Sequence, residues 1–269
     1  CEVRQILESC QEFGVELIDT ARGYGNAESI LAQCMHPYSN FRIMTKIGLH
    51  SDYCSSDQNF DKWDNLFGKS YKTFGSRKIE ALLIHSFSSE NIVDLNEVYV
   101  WLDSLKERGM VNRVGISIYK SEDLLDVDLN RIDLVQLPLS LYDQRMLLDG
   151  TISHLIAHNI SVHVRSIFTQ GLLLTPSSQW PSWISFDIIS HHQRLEKFCN
   201  ARDISLLDIS LNFIKSISKI DSVVFGVSSL NDLQEIYTSW YMPPISSFTE
   251  LTEWSLTNEL FLDPRNWPD

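Results

Sequence analysis

A (β/α)8 barrel, of the α/β class, is the fold the sequence predicts, and three observations predict it. Short apolar, β-branched runs alternate with longer stretches of helical period. One such unit recurs about every 30 to 40 residues, the spacing of a barrel strand with its helix. The 269 residues hold no linker or low-complexity tract and match the ~250 residues such a barrel takes.

In chain order the predicted strands are Val15–Asp19, Phe41–Lys46, Glu80–His85, Arg113–Ser117, Leu134–Leu137, Ser161–Arg165 and Ser222–Gly226. Each is a short run rich in Val, Ile and Leu bounded by polar residues or glycine. The amphipathic stretches between them are Ala27–Cys34, Asn65–Phe74, Asn91–Arg108, Arg145–His158, His191–Ala201 and Leu206–Ser216, with Asn231–Ser239 after the last strand. A helix comes first: Glu2–Phe13 sets Val3, Ile6, Leu7 and Cys10 at helical spacing. In a barrel that helix follows a strand, so the sequence predicts seven strands where closure takes eight. Residues 241–269 offer no replacement and read as one helix around Thr249–Phe261 followed by a Pro/Trp tail. The expectation is a single domain over residues 1–269, incomplete at its N-terminus. Backbone groups left unpaired by the absent strand cost roughly 1–3 kcal/mol each.

Composition narrows the partners. Asp and Glu number 35 against 22 Lys and Arg, a formal charge of −13, and no basic run breaks the acidic balance. That argues against nucleic acid or an anionic membrane surface, while leaving room for a local phosphate site at a helix N-terminus. The five cysteines, Cys1, Cys10, Cys34, Cys54 and Cys199, are odd in number and show no C-x-x-C. They predict a reducing, cytoplasmic setting. No apolar run approaches the roughly 18 residues of a membrane helix, and no signal peptide precedes the first helix.

Barrel enzymes carry their reactive groups at the C-terminal ends of strands. Here those ends are Asp19 with Tyr24 in the turn IDTARGYG, Lys46 in MTKIG and His85 in LLIHSF. Singly, Asp19 reads as a turn residue, Tyr24 as packing, Lys46 as exposed and His85 as a hydrogen-bonded histidine. Together they form a constellation. Lys46 follows Ile43 and Met44, so its ammonium emerges from a buried strand and needs a partner, which Asp19 on the neighbouring strand supplies. A cation nearby lowers the phenol of Tyr24 from its ordinary ~10 and makes it a usable general acid for a carbonyl oxygen. His85 can donate a second hydrogen bond to the same oxygen.

Over nearly its whole length the sequence resembles the aldo-keto reductase family. GVELIDTARGYGNAESILAQ is similar to the family's first signature, and MTKIG, LLIHSF, GMVNRVGISIY, DLVQLPLSLYD, VHVRSIFTQGLLL and VFGVSSLNDLQEI follow in the family's order. The resemblance implies reduction of an aldehyde or ketone, with sugar-like compounds among the substrates, by hydride from a nicotinamide cofactor lying extended across the barrel mouth. It implies Tyr24 as proton donor, Lys46 as its neighbour, Asp19 as partner of Lys46 and His85 as orienter of the carbonyl. It also implies Ser117 and Gln136 at the nicotinamide carboxamide, with Ile118 where an Asn is common. Arg165 falls where many members stack a Tyr, and a guanidinium can stack as well. Ser166, Gln170, Gly171 and Leu172 match the loop that approaches the pyrophosphate.

Gly226, Val227, Ser228 and Ser229 lead into a helix start suited to an anion. Asp232 holds a position that often carries a basic residue for the 2′-phosphate, and Ile236 one where Asn is usual. The implied cofactor is NADP(H), with NAD(H) left open by Asp232. No metal is implied: the strand ends show neither H-E-x-x-H nor clustered Asp and His. Two other readings stand beside the reductase, a nucleotide-binding barrel acting as a regulatory or interaction subunit, and an inactive truncated reductase. Oligomeric state is not legible.

Weaker features complete the reading. Trp180 and Trp183, in Pro176–Ile184, suit a substrate-covering loop or core packing equally. The loops that would select a substrate are Leu49–Asp61, Ser86–Glu90 and Leu172–Ser185. His191 and His192 are expected at a helix start on the surface, His163 as a satisfied strand histidine, and Arg265 and Trp267 as a tail able to fold over the barrel.

Overall fold

Continuous apolar strands separated by amphipathic helices leave one economical arrangement, parallel strands covered by their own crossover helices. The computed structural model, which describes residues 2–36, 39–49, 56–75, 77–87, 94–245 and 247–268, has that arrangement. Two compact units make it up, one of residues 1–136 with 155–161 and one of residues 137–154 with 162–269.

The first unit runs α1 (Glu2–Glu12), β1 (Leu17–Asp19), α2 (Ala27–Cys34), β2 (Arg42–Ile47), α3 (Ser56–Thr73), β3 (Ile79–Ile84), α4 (Leu95–Glu107), β4 (Val111–Ser117) and the start of β5 (Leu134–Pro138). All neighbours pair parallel in chain order, with Asp19 opposite Met44, Lys46 opposite Leu83, Ile84 opposite Ile116 and Ser117 opposite Gln136. Strands β2, β3 and β5 are buried almost throughout, as strands covered on both faces must be. β1 is only half-buried and pairs, among the described residues, with β2 alone. Gly115 in β4 is required by close approach: a Cβ there would stand 2.0 Å from the Leu134 carbonyl oxygen.

The second unit holds the end of β5, α5 (Arg145–Leu148), most of α6 (Thr151–Ala157), β6 (Ser161–Arg165), α7 (Phe186–Arg202), α8 (Leu206–Ser216), β7 (Ser222–Val223), α9 (Leu230–Trp240), α10 (Phe248–Thr252) and α11 (Glu259–Leu262). β6 pairs parallel with β7, and the Leu139 amide donates to the Arg165 carbonyl at 3.1 Å, so the chain leaving β5 lies along the end of β6.

Several expectations are corrected. The stretch Arg145–His158 is two helices rather than one, because Gly150, at φ +86, turns the chain between them. The helix expected from His191 begins at Phe186, which puts His191 and His192 a turn inside it and both are buried rather than on the surface. The helix expected around Thr249–Phe261 is α10 and α11. Between them the Leu256 amide donates to the Tyr142 carbonyl, and Asn258 caps α11 by accepting from the Phe261 amide. The last strand is shorter than Ser222–Gly226, although the Val224 amide still donates to the Val164 carbonyl at 2.8 Å. Parts of the expected loops (50–55 and 88–90) and of the fourth helix (91–93) lie outside the described residues, as do Cys1 and Cys54. Cys10, Cys34 and Cys199 take part in no disulfide, and no described helix is long and apolar enough to cross a membrane.

Candidate active site

The ladder between β1 and β2 continues past Asp19: the Thr20 amide donates to the Met44 carbonyl and the Arg22 amide to the Lys46 carbonyl, each at 2.9 Å. The end of β1 is thereby held against Lys46. The chain then turns sharply, the Tyr24 amide donating to the Ala21 carbonyl at 3.0 Å, with Gly25 at φ +56 before α2 begins. On the other side of β2 the His85 amide donates to the Ile47 carbonyl at 2.7 Å, and Ser86, at φ +51, ends the run of β3.

These turns bring the four predicted residues together inside the first unit. Lys46 is 1% exposed, and its ammonium donates to Asp19 Oδ2 at 2.5 Å and to the Thr20 carbonyl at 3.1 Å. A buried ammonium persists when it is paired and hydrogen-bonded in this way. The same Nζ lies 5.4 Å from the centroid of the Tyr24 ring. The His85 ring meets Tyr24 edge-on, with centroids 5.5 Å apart at 82°. Tyr24 itself is 48% exposed, so its phenol is open to a ligand while the charges behind it are not.

Two predicted cofactor residues belong to the same unit. Ser117 and Gln136 are register partners on β4 and β5, both buried. Gln136 Nε2 donates to Asp19 Oδ1 at 3.1 Å, a contact that sequence reasoning did not foresee. That bond fixes the amide orientation and leaves Gln136 Oε1, a buried acceptor, with no partner among the described residues. An orphaned buried carbonyl suits a ligand carrying an N–H donor, such as a carboxamide.

The remaining predicted positions lie in the second unit. Arg165 ends β6 half-buried, its guanidinium donating to Ser166 Oγ at 3.2 Å. Ser166, Thr169, Gln170 and Gly171 all take positive φ, between +49 and +89, and Leu172 follows half-buried in the 3-10 segment Thr169–Leu174. Non-glycine residues held in this region concentrate where a loop is shaped for a purpose. At the start of α9, beyond Gly226, Asp232 accepts from the Ser228 amide (2.9 Å), Ser228 Oγ (2.7 Å), the Ser229 amide (3.1 Å) and Ser229 Oγ (2.7 Å). The Ser228 hydroxyl foremost, then that of Ser229, hold the Asp232 carboxyl down to about 2. Trp180 is buried, 4.3 Å from His192 between ring centroids, while Trp183 is 37% exposed and 5.2 Å from Trp267.

Two clusters escaped sequence reasoning. Glu28, on α2, is 2% exposed and accepts from Thr45 Oγ1 (2.7 Å), Ser70 Oγ (3.0 Å) and Arg22 Nη1 (3.2 Å). The available signal was a carboxylate four residues beyond Tyr24 in a short apolar helix whose Ile30 is, against the pattern, exposed. In the second unit the buried Tyr142 hydroxyl meets His192 Nδ1 at 2.5 Å, and His192 Nε2 meets the Thr175 carbonyl at 3.0 Å. Among the described residues no cluster of three His, Cys, Asp or Glu could hold a metal.

Comparison with known proteins places these observations. Residues 2–252 match the model of the Aldo/keto reductase family. A Bacillus subtilis (strain 168) protein named Uncharacterized oxidoreductase YqkF is 24% identical over 248 residues, 86% of this chain and 79% of that one. Among solved structures, the aldo-keto reductase AKR11C1 from Bacillus halodurans in its holo form superposes with a TM-score of 0.73 at 18% identity, over 93% of this chain and 85% of that one. A thermostable aldo-keto reductase, Tm1743, in complex with the inhibitor epalrestat gives 0.73 at 16% identity, over 94% and 87%. The fold is thus the α/β barrel type of those structures, with seven parallel strands among the described residues.

Proposed function

This chain belongs to the aldo-keto reductase family, and from that premise we propose that it is an NAD(P)H-dependent reductase of a small aldehyde or ketone, with residues 1–269 as one catalytic domain in a cytoplasmic setting. The observation that carries the reading is the buried Lys46 ammonium, paired with Asp19 and 5.4 Å from the ring of an exposed Tyr24 that His85 meets edge-on.

In this proposal Tyr24 gives its phenolic proton to the carbonyl oxygen. Lys46 stabilises the negative charge left on the phenol, and Asp19 keeps the ammonium in place without water. His85 donates a hydrogen bond to the same oxygen as charge develops there. A reduced nicotinamide, when bound, supplies the hydride to the carbonyl carbon. The orphaned Gln136 Oε1, with Ser117 beside it, fits the carboxamide of such a ring. Arg165 is assigned to the ring, Ser166, Gln170, Gly171 and Leu172 to the pyrophosphate, and Gly226, Ser228, Ser229 and Asp232 to the adenosine end. NADP(H) is the family's default. An Asp232 held ionised by four serine donors opposes a 2′-phosphate through like charge, which favours NAD(H).

Replacing Tyr24 with Phe tests the reading. Turnover of 4-nitrobenzaldehyde with NADH or NADPH should fall by ~10²–10⁴, while nucleotide affinity, read from quenching of tryptophan emission, stays as in the parent chain. Undiminished turnover would remove Tyr24 from the mechanism.

A further inference from the structure

Glu28 is a carboxylate at 2% exposure, on the far side of β2 from the groups that act on substrate. Successive residues of a strand face opposite ways, so Thr45 points toward α2 and α3 while Lys46, next in sequence, points to the reacting face. Glu28 Oε1 accepts from Thr45 Oγ1 at 2.7 Å, and Glu28 Oε2 from Ser70 Oγ of α3 at 3.0 Å and Arg22 Nη1 at 3.2 Å. Thr45 and Ser70 are fully buried.

The third arm is the informative one. Arg22 and Glu28 close a side-chain bridge over the segment that contains Tyr24, and the Arg22 amide donates to the Lys46 carbonyl at 2.9 Å. Glu28 therefore grips the chain on both sides of the acid–cation pair: at residue 22, two before Tyr24, and at residue 45, one before Lys46. A helix of this size is held adequately by Leu and Ala, and a buried carboxylate is costly without full partners. Three donors from three elements explain how it is tolerated, and the placement of two of them explains what it does.

We propose that Glu28 is a positioning residue for catalysis, setting the approach of the Tyr24 phenol to Lys46 through Arg22 and Thr45. It touches neither substrate nor cofactor, and the proposal rests on the reductase reading above. A misplacement of about 1 Å at a reacting group can cost ~10²-fold in rate.

The test is a double-mutant cycle in the full chain, Glu28→Gln, Arg22→Ala and the pair, assayed with 4-nitrobenzaldehyde, with Tyr24→Phe as control. Each single variant should lower kcat about 10-fold with KM and nucleotide affinity unchanged. The pair should be no worse than either, because both remove the same bridge. Hydrogen exchange over residues 20–28 should quicken in both singles, and Thr45→Val should reproduce the kcat loss without touching the exposed face. Singles that multiply, a rise in KM alone for Arg22→Ala, or unchanged kcat in variants that fold would overturn the positioning role. If Tyr24→Phe keeps full turnover, the reductase reading itself falls, and with it this role. If Tyr24→Phe loses turnover while the Glu28 and Arg22 variants keep the parent kcat, only the role of Glu28 falls.

Discussion

Lys46 and Asp19 show how much one pair can carry at the residue scale. Asp19→Ala takes the carboxylate partner away from the ammonium of Lys46, a residue 1% exposed. Losing one partner of a buried ion pair costs about 3–5 kcal/mol, so the urea midpoint of Asp19→Ala should drop sharply. Adding Lys46→Met should restore much of the loss, and a parent-like midpoint for Asp19→Ala alone would contradict the pairing. Asp19, Tyr24, Lys46 and His85 were legible because polar residues ending apolar strands have few structural reasons to be there. Glu28 was not: a charged residue on a helix ordinarily faces water, and only the meeting of Arg22, Thr45 and Ser70 around it makes burial tolerable. The bond from Gln136 to Asp19, 117 positions distant in sequence, was not legible.

At the scale of elements, β4 meets β5 where Gly115 leaves no room for a side chain. Gly115→Ala forces the strands apart and should destabilise by about 1–3 kcal/mol, checked by thermal unfolding; an unchanged midpoint would show that the strands yield. Helix α7 carries a pH-dependent contribution. Burial lowers His192 and His191 from the ordinary histidine range. His192 Nε2–H donates to the Thr175 carbonyl, so its Nδ1 accepts from the Tyr142 hydroxyl, an arrangement open only to the neutral ring. The unfolded chain then binds more protons than the folded one once pH falls below about 6.5, and stability is present above that value and lost on further acidification. Urea midpoints at pH 7.5 and 5.0 should differ less for His192→Gln than for the parent, and equal slopes would remove His192 from the effect. α2, α8 and β6 have the bounds their hydrophobic period predicts. The stretches Arg145–His158 and Thr249–Phe261 did not hold as single helices, because Gly150 and the Tyr142 carbonyl impose breaks that periodicity does not register.

For the molecule as a whole, binding of a nicotinamide dinucleotide to the folded chain alone must raise its stability by mass action. At 100 times its Kd, the preferred nucleotide should add about 2.7 kcal/mol, read as a rise in thermal midpoint. Asp232 predicts the larger rise for NADH than for NADPH at equal concentration, and the reverse order would show that its charge is compensated when the nucleotide binds.

What the sequence by itself determined was the parallel α/β class, the helix before the first described strand, and the gathering of Asp19, Tyr24, Lys46 and His85 at neighbouring strand ends. These follow from local rules, since the period of apolar residues selects the element and the polar residue ending each strand is read beside its own neighbours. Only the tertiary structure decided that Gln136 reaches Asp19, that a glutamate is buried behind Lys46, and that two histidines lie inside a helix rather than on it. Such contacts join residues far apart in the chain, and a polar group's tolerance of burial depends on donors and acceptors that folding alone brings into reach.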